Sequence, residues 1–170
     1  GWIVLSENRI NSFDPIYDEN SKILILGTMP SIASLEQGMY YSHPRNAFWK
    51  ILKDLTGDDP GNTNASKRSF LLRHNIALWD TLSSCERQGS LDGNIKEERP
   101  YNVAGLIKSC PLIQVIFLNG GAALKYYKRY HASKIELPYI ALPSTSPANA
   151  RGGYEKKIEA WRKVADYIVK

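Results

Sequence analysis

Four short, unbroken apolar runs constrain this chain more than any other feature, because each stops at a residue that ends a strand. They are residues 22–26 (KILIL) before Gly27, 76–79 (IALW) before Asp80, 115–118 (VIFL) before Asn119-Gly120-Gly121, and 139–142 (YIAL) before Pro143-Ser144. A strand with one wet face alternates apolar with polar residues, whereas an unbroken run fits a strand covered on both faces of a parallel sheet. Helical spacing fills the intervals. Phe48, Ile51, Leu52 and Leu55 share a face in residues 47–55, and Val103, Leu106 and Ile107 do so in 102–109, before Pro111. Residues 122–130 follow the double glycine, and Ile158, Trp161, Ala165 and Ile168 make a stripe through 154–169. Strands alternating with helices predict an α/β fold, a three-layer α/β/α sandwich around a central four-stranded parallel sheet.

At 170 residues, with 43% apolar and 23% charged residues, the chain reads as one domain over 1–170, residues 1–20 forming an N-terminal arm. No run reaches the roughly 18 apolar residues of a membrane span, so no membrane partner is expected. Cys85 and Cys110 are too few for a disulfide framework, an iron–sulfur cluster or a zinc ribbon, and His43, His74 and His131 have no metal-ligand spacing. The expectation is a cytoplasmic monomer (nucleoid-associated in a prokaryote) that uses no metal or cofactor. A net charge of +5 permits an anionic partner without demanding one. Lys125, Lys128, Arg129, His131 and Lys134 cluster in one stretch, and Arg151, Lys156, Lys157, Arg162 and Lys163 in another. Either cluster alone reads as an ordinary solvated helix face.

In an open parallel sheet the ligand crevice lies at the carboxyl ends of the strands. The loop after the first run, Gly27-Thr28-Met29-Pro30-Ser31, offers unobstructed backbone amides but lacks the lysine ending of a phosphate loop. Residues 40–49 (YYSHPRNAFW) read two ways. Asn46 caps the following helix while Phe48 and Trp49 fill the core; or Tyr41 and Asn46, with His43 and Arg45, meet a nucleobase that needs an aromatic face and polar readers. Leu142 leads into a stiff loop, Pro143-Ser144-Thr145-Ser146-Pro147-Ala148-Asn149, with Arg151 just beyond. Its hydroxyls, amide and rigid tip suit phosphates and stacked bases, or simply a connection to the last helix. Ser90, Asp92 and Asn94 read as a turn.

Together these three segments resemble the uracil-DNA glycosylase superfamily, nearest its hypoxanthine (deoxyinosine) branch and close to the mismatch-specific uracil/thymine glycosylases. Residues 77–80, Cys85, Ser90-Leu91-Asp92 and Asn119-Gly120 look familial too, and the resemblance spans nearly the whole chain. It implies a DNA repair enzyme with a base pocket formed by Gly27, Thr28, Met29, Tyr41 and His43. Tyr41 would stack on the flipped base. Arg45, Ser144, Thr145, Ser146, Pro147, Ala148, Asn149 and Arg151 would meet DNA, the loop filling the gap left by the extruded nucleotide.

One departure sharpens the resemblance. Met29 stands where the mismatch-specific enzymes carry an Asn and other branches an Asp that positions the attacking water. A thioether neither orients nor polarises water. The hypoxanthine branch also lacks that group, and the Asn of its His-Pro-Arg-Asn segment is implicated instead, which maps to Asn46. The resemblance therefore implies hydrolysis of the N-glycosidic bond of hypoxanthine in DNA, with Asn46 catalytic and an abasic site as product. Without a clearly placed Schiff-base lysine, no lyase activity is expected. Other readings stay open: a uracil or mismatch-specific glycosylase, a non-catalytic DNA-binding member of the fold, and a hydrolase of free inosine.

Overall fold

The computed structural model describes residues 9–149 and 152–168. Among them the chain forms β1 (Arg9–Asn11), β2 (Ile23–Gly27), α1 (Ile32–Gln37), α2 (Phe48–Thr56), α3 (Asn64–Arg73), β3 (Ile76–Asp80) and β4 (Leu82–Glu86). There follow β5 (Lys96–Pro100), α4 (Val103–Ser109), β6 (Val115–Asn119), α5 (Gly121–Tyr130), β7 (Tyr139–Leu142) and α6 (Gly153–Ala165). The four apolar runs become β2, β3, β6 and β7, which form one parallel sheet in the order β3-β2-β6-β7. The chain leaves β2 for β3 on one side, then crosses back to β6 on the other. That reversal puts a crevice at the carboxyl ends of β2 and β6. Register does the rest, setting Gly27 opposite Asp80 and Asn119 opposite Leu142.

Every residue of β2, β3 and β6 is buried, as unbroken apolar runs between two helix layers require. The fourth run departs from that expectation. β7 is the edge strand, and Tyr139 and Ala141 are exposed even though the Tyr139 ring lies 5.0 Å from that of Tyr127 on α5. On the other flank α2 and α6 pack together, and Trp161 sits edge-on to Phe48 with ring centroids 5.9 Å apart. The Trp161 indole also donates to the Pro143 carbonyl (2.9 Å), which ties the loop after β7 to α6.

Two features were not foreseen. β1, β4 and β5 make a separate antiparallel sheet, in the order β1-β4-β5. The segment expected as an arm is, over residues 9–16, part of the body. Ile16 is buried and exchanges two 2.9 Å backbone hydrogen bonds with Leu78, covering the outer edge of β3. Tyr40 donates to the Asp14 carbonyl (2.8 Å) and Tyr101 to that of Phe13 (2.7 Å), fastening the same segment from two further sides. Residues 1–8 lie outside the described residues.

Candidate active site

A cavity of about 280 Å³ opens at the carboxyl ends of the parallel strands. Gly27, Thr28 and Met29 form one wall, Tyr41 and Asn46 another, and the loop after β7 a third. Asp80, Asn119 and the tip of the β4–β5 hairpin close it.

Its floor is built over Gly27. A β-carbon there would lie 2.6 Å from the Tyr41 hydroxyl and 2.7 Å from Asp80 Oδ1, so any side chain would displace both. The glycine is needed for this close approach of two polar groups, a more local reason than ligand contact with the backbone. Asp80 is almost completely buried, and Ser12 donates to its Oδ2 at 2.5 Å. Burial pushes its carboxyl up to about 7, against the opposing pull of the Ser12 hydrogen bond. Asp80, at a strand end facing the crevice and in a stretch that looks familial, was given no role by the sequence reading, yet it carried a signal: a carboxylate ending a strand that is otherwise apolar.

Tyr41 occupies the left-handed backbone region (φ 57°), where a bulky side chain costs roughly 1–2 kcal/mol. Strain of this kind collects at functional positions. Its ring packs on Phe48 at 4.2 Å between centroids and borders the cavity. Its hydroxyl is sealed from solvent and has no hydrogen-bond partner among the described residues. The neighbouring Asn119 amide is committed at both ends to Thr145, donating to its hydroxyl and accepting from its backbone N–H, each at 3.0 Å. Burial accordingly raises the phenol above its ordinary range. Tyr40, by contrast, belongs to the core.

Asn46 lines the cavity and stands one residue before Ala47, the N-cap of α2, which has no side-chain cap of its own. Asn46 Oδ1 accepts from the Phe48 N–H (3.0 Å) at the start of that helix. That bond leaves the amide NH2 as the end facing a ligand. Met29 is half-buried in the wall and offers no strong donor or acceptor there.

The loop after β7 only partly matches expectation. Ser144, Thr145, Ser146, Ala148 and Asn149 all line the cavity. Thr145, however, is 1% exposed, and its carbonyl accepts from the Ala47 N–H (3.0 Å), which locks this loop to residues 40–47. The other hydroxyls are engaged with their own backbone. Ser144 Oγ accepts from the Ser146 N–H (3.1 Å) and Ser146 Oγ from that of Ala148 (3.2 Å), while Asn149 donates to the Ser144 carbonyl (3.1 Å). The loop shapes the pocket more than it extends free groups from it.

Three expected site residues lie elsewhere. His43 accepts from the Arg45 N–H through Nδ1 (3.1 Å) and does not line the cavity. Arg45 and Pro147 instead border an adjoining groove with Lys50, Tyr154 and Lys157, reached past Asn46. There Lys50 Nζ stands 4.1 Å from the Tyr154 ring centre, and Lys157 Nζ donates to the Ser146 carbonyl (3.3 Å). Arg151 lies outside the described residues. Sequence reasoning also missed Arg87, a buried guanidinium that donates to the Pro30 carbonyl (2.6 Å) and so holds the first pocket loop against the β4–β5 hairpin.

Fold and site together define an open α/β protein whose switch-point pocket joins an aromatic face, an amide and a buried carboxyl. Comparison with known proteins narrows that class. The family model of the uracil DNA glycosylase superfamily matches residues 15–165. A protein of Methanosarcina barkeri named hypoxanthine DNA glycosylase is 34% identical over 146 residues, covering 85% of this chain and 91% of its own. Another of that name from Methanosarcina acetivorans is 34% identical over 153 residues, 89% and 95% of the two chains. The solution NMR structure of a Methanosarcina acetivorans protein taken to be a uracil DNA glycosylase superimposes with a TM-score of 0.80. It is 30% identical and covers 92% of this chain and 96% of that one. The chain belongs to the uracil DNA glycosylase superfamily.

Proposed function

We propose that this protein is a monofunctional DNA glycosylase that extrudes a deaminated base, hypoxanthine foremost, and hydrolyses its N-glycosidic bond to leave an abasic site. The observation that carries the reading is the single cavity in which the Tyr41 face, the Asn46 amide and the Asp80 carboxyl converge beside Met29. The two relatives named hypoxanthine DNA glycosylase support the choice of base.

Hypoxanthine differs from adenine along one edge, where a ring N–H stands beside a carbonyl instead of an acceptor nitrogen beside an amino group. The ionised Asp80 carboxylate, at the cavity floor, accepts from the ring N–H. Adenine would turn a lone pair toward that carboxylate, and a site that leaves polar groups mispaired rejects a ligand strongly. Extrusion costs a few kcal/mol, least at a weak pair, and stacking on Tyr41 returns roughly 1–3 kcal/mol.

Cleavage runs through an oxocarbenium-like sugar. The C–N bond breaks with its electrons going to the purine, and backbone amides of the Gly27–Met29 wall stabilise that charge. Asn46 orients the water that adds hydroxide to the anomeric carbon, its proton ending on the released base. No protein nucleophile is consumed. Uracil presents the same N–H and carbonyl edge; Met29, where the uracil enzymes hold water, favours the purine. The free, buried Cys85 and Cys110 fit a reducing compartment, and we read the working unit as one chain in the cytoplasm.

The test is release of free base from an oligonucleotide carrying hypoxanthine, with alkali-labile abasic product. A folded Asn46→Ala protein is expected to lose about 10²–10³ in single-turnover rate, as for removal of one well-placed polar group. Wild-type-like release by that variant would remove Asn46 from the chemistry.

A further inference from the structure

The reaction proposed above makes a cation. As the C–N bond of the nucleotide breaks, its electrons leave with the purine and positive charge collects on the sugar ring. Asp80 lies at the cavity floor, where it is occupied by the edge of the base. The sugar stays nearer the mouth, because its phosphodiester links run on into the strand.

A second carboxylate stands at that level. Asp92 lines the same cavity from the tip of the β4–β5 hairpin and, unlike Asp80, is exposed. The described residues that line the cavity include these two carboxylates and no lysine, arginine or histidine. That imbalance is unexpected in a pocket that receives a polyanion, in a chain of net charge +5. A carboxylate at the rim repels the phosphates on either side of the lesion and so works against binding. It becomes favourable where positive charge develops, and within the bound nucleotide that place is the sugar.

The sequence reads Asp92 as part of a turn, and the structure fixes that turn on several sides. Asp92–Asn94 make one short helical turn, closed by the Ile95 N–H on the Asp92 carbonyl (3.2 Å). Ser90 Oγ accepts from the Ile32 N–H (3.0 Å), joining the tip to the start of α1. Arg87 donates to the carbonyls of Gly89 (2.8 Å) and Pro30 (2.6 Å). A charge held in place beforehand needs no reorganisation as the transition state forms. The surrounding protein raises the Asp92 carboxyl above its ordinary range, and the Arg87 guanidinium draws it back. A cationic sugar beside it favours the ionised form further.

Resting on the glycosylase reading above, we infer that Asp92 is a second catalytic carboxylate, which faces the sugar and stabilises its oxocarbenium-like charge without bonding to it. Depth divides the roles: Asp80 meets the base at the floor, and Asp92 meets the sugar at the rim. Asp92 keeps its electrons and takes no proton. Hydroxide from the water still completes the sugar, and the remaining proton still goes to the base.

The experiment uses two uncleavable duplexes that differ by one charge. At the lesion position one carries a pyrrolidine abasic analogue, protonated where the sugar cation forms, and the other a neutral tetrahydrofuran analogue. Wild type should bind the pyrrolidine duplex at least about tenfold more tightly. Asp92→Asn should lose most of that preference and bind the tetrahydrofuran duplex as well as wild type or better. It should also release hypoxanthine at least about tenfold more slowly in single turnover. Asp92→Glu, which keeps the charge, should keep the preference. Weaker binding of both duplexes by the same factor would mark a structural role and overturn the inference, as would an unchanged rate or preference in Asp92→Asn. Failure of wild type to release hypoxanthine would instead overturn the functional reading on which it rests.

Discussion

Replacing Asp80 by Asn tests the floor of the pocket through a pH dependence whose sign is fixed by the structure. Asp80 sits 2% exposed at the end of β3, with Ser12 on one oxygen, and its carboxyl is raised from 3.8 to about 7 by burial. In the unfolded chain the group ionises near 4. Between about pH 4 and 7 the unfolded state therefore gives up a proton that the folded state keeps, so this group's contribution to stability falls as pH rises, and is lost above about 7. At 1.36 kcal/mol per pH unit, the displacement corresponds to roughly 4 kcal/mol at most. Asn has nearly the same shape, can still accept from Ser12 and carries no charge. The variant should match wild type near pH 4.5 and exceed it by about 2–4 kcal/mol at pH 8. Urea denaturation of both proteins at half-unit pH steps measures the difference, in which the other carboxylates cancel. A stability gap that stays flat with pH, or that favours wild type at pH 8, would refute the buried, protonated Asp80.

The same group should shape activity. Excision of hypoxanthine is expected to rise with pH and level off above about 7 in wild type, as Asp80 ionises, and to lose that profile in Asp80→Asn, read in single-turnover rates. Tyr41→Phe removes a buried hydroxyl that has no partner and keeps the stacking ring, so it should leave stability unchanged or slightly raised and excision within about twofold of wild type, whereas Tyr41→Ala should slow excision about tenfold or more. Melting and kinetics on one preparation check both halves. Asn46→Ala should lower stability by about 1 kcal/mol, because the Phe48 N–H loses its acceptor, alongside its larger catalytic loss. Thr145→Val should cost about 1–3 kcal/mol in denaturant unfolding, since the Asn119 amide would lose its buried acceptor.

The parallel sheet was legible because burial on both faces writes itself as unbroken apolar runs, and β2, β3 and β6 have that character. The antiparallel sheet was not. β5 is Lys-Glu-Glu-Arg-Pro and mostly exposed, so nothing in its hydropathy announces a strand; it is fixed by pairing to β4. Tyr41 and Asn46 were legible as residues of the crevice, and both line the cavity. Asp80 was not given a role there, because it comes to the cavity floor only through the Gly27–Asp80 register and the missing β-carbon at Gly27. Thr145 shows the opposite error. A hydroxyl in a Ser/Pro-rich loop looks free until Asn119, 26 residues away, claims it.

The central claim is that one pocket selects a deaminated base by its edge and releases it by hydrolysis. It is tested most directly by incubating the full chain with otherwise identical duplexes carrying hypoxanthine, uracil, xanthine or adenine at one position. Released base and abasic sites are then quantified under single-turnover conditions. The account predicts free hypoxanthine and an intact abasic strand without lyase cleavage, slower or absent release of the other deaminated bases, and none of adenine. Uracil as the best substrate, adenine release at a comparable rate, or binding of DNA with no base released would contradict it.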